Sequence, residues 1–165
     1  MQDFTFKLID DASYCVTSYQ GDEKNVTVPA EYGGAKVTVL YDGLFAGHKE
    51  ITSVEIPDAV TDFGEFLFDG CDNLKEIRLP LQLRNLWGYT FVRSAFKEIV
   101  LPDGVSAIPP FAFKDCKNLE KVVCGKGLKE IRSWAFAGCD KLTTLIYEPS
   151  VKVSSEAFSE KELNT

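Results

Sequence analysis

The sequence predicts a right-handed, mostly β solenoid in which stacked coils of 22–23 residues share a parallel sheet. Three features lead to this fold class: a recurring phenylalanine, a recurring strand pattern in register with it, and a proline that ends several of the strands. The phenylalanines follow one another at spacings of 23, 23, 22, 23 and 22 residues. A fixed period of this length is typical of repeat architectures. The phenylalanines are Phe45, Phe68, Phe91, Phe113, Phe136 and Phe158.

The first 25 residues lack this repeat and are predicted to form a β-hairpin cap. Residues 4–9 and 14–19 alternate apolar and polar side chains on either side of the turn-forming segment 10–13, the pattern of paired strands. Such a hairpin would cover the open face of the first coil. Residues 26–39 then lead the chain into that coil.

Each repeat contains the pattern apolar-x-x-apolar-x-apolar, whose last two apolar members alternate as in a strand with one face inward. Pro57, Pro80 and Pro102 end three of these strands, because proline cannot donate to a sheet ladder. A second apolar pair then turns the chain back. One coil cannot offset the entropy of ordering its own backbone, so the coils must stack. We expect a parallel sheet on one side, with turns and short helical pieces opposite. The pattern begins at Ile51, Leu74, Phe96, Leu119 and Leu142.

Residues 108–119, Ile-Pro-Pro-Phe-Ala-Phe-Lys-Asp-Cys-Lys-Asn-Leu, and residues 131–142 resemble the BspA-like subclass of leucine-rich repeats. The resemblance covers about residues 26–158. It implies an α/β leucine-rich-repeat solenoid, mostly β, forming a single domain over 1–165: an N-terminal cap at 1–25, repeats at 26–158 and a polar tail at 159–165. Members of this family are surface or secreted proteins, mainly bacterial, that bind host or matrix proteins. The resemblance therefore implies an interaction or adhesion role at the cell surface.

The chain departs from the family pattern at three places. His48 and Ser94 stand where other repeats have cysteine, and one residue is missing after Phe91. These departures affect the local turn geometry and leave the predicted fold intact.

Composition and charge restrict the partners. The net charge of −7 argues against general nucleic-acid binding, which needs a basic surface. The charge is uneven, since residues 1–65 hold twelve acidic and four basic side chains. No apolar run is long enough to predict membrane insertion, and the N-terminus has no signal-peptide pattern. The sequence leaves the cell compartment open, and only the family resemblance suggests the cell surface or the extracellular space.

The five cysteines and the single histidine are interpreted as structural. Cys71, Cys116 and Cys139 each follow a repeat phenylalanine by three residues, so we expect them to be inward, hydrogen-bonding turn residues. Their column places the side chains parallel, which disfavours disulfide geometry, and all five cysteines are expected to be unpaired. His48 occupies the same column. We therefore predict no catalytic residue, no cofactor, no metal ligand and no enzymatic activity.

The two tryptophans, Trp87 and Trp134, precede a repeat phenylalanine by a few residues. We expect both to pack beneath the turns.

The candidate binding residues point outward from the predicted strands. Val100, Val123 and Ile146 occupy the same position in three successive repeats, where a solvated sheet is usually polar. Exposed β-branched residues also suit strands without any partner. The sequence therefore allows two interpretations, an ordinary solvent-exposed surface or a binding interface. In the interface interpretation, the polar rim consists of Arg78, Glu98 and Lys121.

The favoured function is a non-enzymatic module that binds an unidentified protein through its sheet face. The alternative is a structural segment of a larger solenoid, or a self-associating protein that forms homo-oligomers through its C-terminal edge. An unpaired final strand tends to pair with another chain.

Overall fold

A computed structural model describes residues 2–10 and 12–158, which form about six stacked coils of short, mostly parallel strands. The first coil, residues 25–40, is followed by five coils that span about 42–63, 65–86, 88–108, 110–131 and 133–153. The strands are β1 (Asp3–Leu8), β2 (Tyr14–Gln20), β3 (Asn25–Thr27), β4 (Glu31–Tyr32), β5 (Ala35–Leu40), β6 (Ser53–Glu55), β7 (Asp62–Phe63), β8 (Glu76–Arg78), β9 (Asn85–Leu86), β10 (Glu98–Val100), β11 (Ala107–Ile108), β12 (Lys121–Val123), β13 (Glu130–Ile131), β14 (Thr144–Ile146) and β15 (Lys152–Val153).

Two strands in each coil build two separate faces of the solenoid. The front face contains the three-residue strands, arranged as the sheets β3-β6-β8 and β10-β12-β14. The flank face contains the sheets β1-β2-β5-β7-β9 and β11-β13-β15. The third side of each coil consists of turns.

The N-terminal segment forms the predicted hairpin, in which β1 pairs antiparallel with β2. Strand β2 then pairs in parallel with β5, and β5 pairs with β7. The hairpin therefore extends the flank face and covers the first coil. Its outer aromatic side chains pack together, and the ring of Phe6 stacks on that of Tyr32 with centroids 4.1 Å apart.

The prediction of short helical pieces opposite the sheet is wrong, since the described residues contain no helix. The third side consists of turns in which local hydrogen bonds alternate with bonds to the next coil. In the turn at residues 65–70, the Asp69 N–H donates to the Phe66 carbonyl at 3.1 Å, whereas the Phe68 N–H donates to Thr90 in the following coil at 3.0 Å. Phe66 has a φ of 53°, and a left-handed residue interrupts a right-handed helix.

A column of phenylalanines fills the centre of the solenoid. The rings of the six repeat phenylalanines stack with centroids 5.5, 5.8, 5.0, 5.2 and 5.7 Å apart from the first to the last. Five of them are buried, and Phe158 is about half exposed. The repeat spacing of the sequence therefore places one ring per coil on a common axis.

Cysteine thiols tie neighbouring coils together beside this column, as the sequence predicts. Cys71 Sγ donates to the Phe45 carbonyl at 3.0 Å, and Cys116 Sγ donates to that of Phe91 at 3.1 Å. Cys139 Sγ makes the corresponding bond to Phe113 at 2.9 Å. Burial raises the pKa of Cys71 to about 12, so this thiol stays protonated and can donate.

The sheets on both faces are interrupted between the coils at 65–86 and 88–108, and we call this boundary the seam. Within the described residues no ladder joins β8 to β10 or β9 to β11. On the flank face Pro109 contributes to the interruption because it has no N–H, whereas Trp87 and Arg132 at the equivalent positions donate to the preceding coil at 3.2 and 3.0 Å.

On the front face the seam coincides with the missing residue after Phe91. The shortened turn makes Ala95 donate to the Leu74 carbonyl at 3.0 Å, in place of the two bonds that a strand start makes in other coils. Ser94, in the cysteine column, has a buried hydroxyl oxygen without a hydrogen-bond partner among the described residues. The turn side still joins the coils, and an ion pair of 2.5 Å links Arg93 to Asp69.

We expect Gly127→Ala to destabilise the protein by about 1–3 kcal/mol. A Cβ at Gly127 would lie 1.9 Å from the Asp103 carbonyl oxygen of the preceding coil, so the backbone must shift. Gly88→Ala is the matched control, because its Cβ would make only an ordinary contact at 3.5 Å with the Pro110 carbonyl oxygen. Equal denaturant midpoints for the two variants would contradict the close coil approach.

Candidate protein-binding face

The three candidate apolar residues lie side by side on the front face. Val100 is directly opposite Val123, and Val123 is directly opposite Ile146, in the parallel ladders β10-β12-β14. At a strand spacing of about 4.8 Å, the three residues form a strip roughly 10 Å long. We call Val100, Val123 and Ile146 the apolar strip.

The exposure of the strip follows from its position in the sheet. Val100 and Ile146 are 64% and 50% exposed, whereas Val123 is half-buried. Val123 is the middle residue, with a neighbour in the strip on each side. The side chains between the outward positions, such as Ile99 and Val122, point into the core and are buried. The strip is therefore a solvent-facing apolar surface on a sheet whose inward side chains are buried.

The three candidate rim residues do not form one border. Glu98 and Lys121 are opposite each other in β10 and β12, directly beside the strip. Arg78 belongs to the other front sheet, across the seam, and its Nη1 lies 3.0 Å from Asp58 Oδ1. The hydrogen bond from Arg78 lowers the pKa of Asp58, and a further bond from the Leu81 N–H adds to this effect. Arg78 is thus anchored on the far wall of a groove.

This groove is an element of the site that the outward strand pattern does not reveal. The seam leaves a cavity of about 350 Å³ between β8 and β10, with Leu81, Val100 and Pro102 among its apolar lining residues. Leu81 is 68% exposed. The only feature of the sequence at this point is the one residue missing after Phe91. That the two strands do not pair there is visible only in the structure.

Both tryptophans were expected to pack beneath the turns, and for Trp87 this interpretation is wrong. Trp87 is 57% exposed on the flank face. Trp134 lies in an outer aromatic column, where its ring stacks on Phe111 with centroids 5.1 Å apart. The next rings of this column are Tyr89 and Phe66, at successive spacings of 4.7 and 4.6 Å.

His48 lies at the N-terminal end of the solenoid, away from the strip. Its Nδ1 is 2.6 Å from Glu50 Oε1, and its ring packs on Tyr19 with centroids 5.0 Å apart. Burial, together with a hydrogen bond to Glu23, raises the pKa of Tyr19 to about 12. The contacts with Tyr19 and Glu50 orient the ring between the cap and the coil at 42–63.

We expect His48→Ala to leave protein binding unchanged, because the contacts of the ring with Tyr19 and Glu50 lie away from the apolar strip. Thermal melting and partner affinity should be measured on the same sample. A loss of affinity at an unchanged melting temperature would show that His48 belongs to a binding site.

Two further features bear on function. Among residues 2–10 and 12–158, no cluster of three or more His, Cys, Asp or Glu side chains has an arrangement that could hold a metal ion. The same part of the chain contains no helix with the length and hydrophobicity needed to span a membrane.

Comparison with known proteins identifies the family. The model of the BspA type leucine rich repeat region matches residues 38–164 in six copies. No curated protein matches the chain.

Solved structures share the fold. The leucine-rich-repeat protein TpLRR of T. pallidum is 24% identical, with a TM-score of 0.69 over 98% of this chain and 90% of its own. A leucine-rich cell surface protein of Faecalibacterium prausnitzii is 21% identical, with a TM-score of 0.65 over 92% of this chain and 55% of its own. A leucine-rich-repeat protein of Bacteroides ovatus is 26% identical, with a TM-score of 0.68 over 98% and 50%. This chain spans about half the length of the latter two proteins. The repeat architecture, the thiol column and the family match together show that the chain belongs to the BspA-type leucine-rich-repeat family.

Proposed function

We propose that this protein is a non-enzymatic module that binds another protein through its front face, at the surface of a bacterial cell or in secreted form. The observation that carries the proposal is the apolar strip, which three successive coils hold in register and in solvent. An apolar centre beside charged residues is the composition of protein interfaces.

The groove at the seam strengthens the proposal. Leu81 and Val100 line a depression beside the strip, and interface energy concentrates where a side chain fills a pocket. Glu98 and Lys121 beside the strip provide charges of both signs that can orient a partner. A similar fold in a protein described as a leucine-rich cell surface protein supports the location.

Photo-crosslinking tests which face makes the contact. Benzoylphenylalanine is placed at Ile146 in one variant and at Ser106, an exposed residue beside the flank face, in the other. Each is irradiated with soluble extracellular-matrix proteins. We expect crosslinks from position 146 and none from position 106. Crosslinks from position 106 alone, or no bound matrix protein, would contradict the proposal. Sedimentation of the protein alone separates binding from self-association, and a dimer crosslinked through position 146 would also contradict it.

A further inference from the structure

A second cavity lies on the flank face, about 400 Å³ in volume, between the N-terminal cap and Trp87. Tyr41 and Trp87 contribute aromatic side chains to its lining, and Asp42 and Asp62 contribute carboxylates. Among the residues that the structure describes, no lysine or arginine lines it. It is separate from the front face and from the apolar strip.

The exposed tryptophan is not required by the fold. In other coils the equivalent position holds Gly64, Pro109, Arg132 or Ser154, and the position contributes only its backbone to the ladder. Trp87 also stands outside the outer aromatic column, which stacks Phe66 on Tyr89. At 57% exposure, its indole leaves a large apolar area in water, between this cavity and a neighbouring one that Arg84 and Arg132 line.

The two carboxylates are held in place but not neutralised. Asp62 accepts hydrogen bonds from Asn85 Nδ2 at 2.8 Å and from Thr61 Oγ1 at 2.5 Å. Asp42 Oδ1 accepts the Glu65 N–H at 2.8 Å. Neither carboxylate forms an ion pair with another side chain in the described part of the chain. Each carboxylate oxygen has two lone pairs, so both groups retain acceptors for a ligand.

We propose that this cavity binds an arginine side chain from a basic segment of a protein partner. A cation is attracted to the face of an indole ring, and arginine is the side chain that most often makes this contact. Its planar guanidinium also donates several hydrogen bonds to carboxylates while it stacks. The surrounding charge favours the same ligand, since residues 1–65 hold twelve acidic and four basic side chains.

Isothermal titration with a hexapeptide of alternating arginine and glycine tests the site. We expect one peptide bound per chain, about tenfold weaker binding in Trp87→Ala, and several-fold weaker binding in the nearly isosteric Asp62→Asn. Glu55→Gln is the charge-matched control, since it removes one exposed carboxylate from the front face, and it should bind as the wild type does.

Two further peptides identify the recognised group. The citrulline analogue keeps the planar shape without the charge, and the lysine analogue keeps the charge without the plane. We expect no measurable binding of the first and weaker binding of the second. Absence of arginine-peptide binding, equal binding of the lysine peptide, or an equal loss in Glu55→Gln and Asp62→Asn would overturn the proposal. Melting curves establish folding, and Asp62→Asn decides the result if Trp87→Ala does not fold.

Discussion

Phe91→Ala is expected to lower the free energy of unfolding by about 3–5 kcal/mol. Phe91 is fully buried. In the central column, the centroid of its ring lies 5.8 Å from that of Phe68 and 5.0 Å from that of Phe113. The ring also packs edge-on against those of Phe63 and Phe96, with centroids 6.2 and 5.7 Å away. Because both sheets are interrupted at the seam, this ring is a principal link between the two halves of the solenoid.

Urea unfolding followed by circular dichroism measures this effect. Phe66→Ala is the matched control, since it removes the same atoms from the outer aromatic column, where Phe66 is 38% exposed. We expect the control to cost about 1 kcal/mol, the scale of one lost aromatic contact. Similar costs for the two variants would mean that the central column does not hold the coils together.

The repeat could be predicted from the sequence because every coil places the same residue types at the same step. The 22–23-residue spacing of phenylalanine and the cysteine three residues later define a column and its hydrogen bonds. The outward position of Val123 follows from the two-residue period of a strand. These features depend on local pattern and stacking alone.

The seam and the flank cavity could not be predicted, because they depend on how neighbouring coils meet. From the sequence, Pro109 looks like an ordinary loop proline. The structure places it at the position where the other coils donate a backbone N–H to the preceding coil. The missing residue near Ser94 was expected to affect only the local turn, yet it coincides with a break in the front sheet. Trp87 resembles a packing residue by sequence position, yet its ring is exposed.

The helical pieces were wrong for a related reason. Apolar residues at the turns fit a short helix as well as a turn, and propensity does not separate the two. The structure places Phe66, Tyr89, Phe111 and Trp134 at φ values of 53–60°. Bulky residues rarely adopt this conformation, so no sequence preference indicates it.

Val123→Asp is expected to weaken partner binding by at least about a hundredfold, because it would bury an unpaired carboxylate against an apolar contact. The stability cost should be small, roughly 0.5–1 kcal/mol, since the side chain points away from the core. Val123 is the middle of the apolar strip, between Val100 and Ile146. A charge there affects every contact that the strip can make.

Two variants separate this effect from a change in net charge or in strand propensity. Ser106→Asp adds the same charge at an exposed position beside the flank face. Val123→Thr keeps the branched shape and adds only a hydroxyl. We expect the first to bind as the wild type does and the second to lose a few-fold in affinity.

The most direct test of the front face as a protein-binding surface uses the matrix protein that photo-crosslinking identifies. The melting temperature of Val123→Asp and its affinity for that matrix protein are measured on the same sample. We predict nearly unchanged melting with lost binding, while Ser106→Asp retains both. Unchanged binding in Val123→Asp would contradict the assignment, and a collapse of its melting temperature would show that Val123 faces the core.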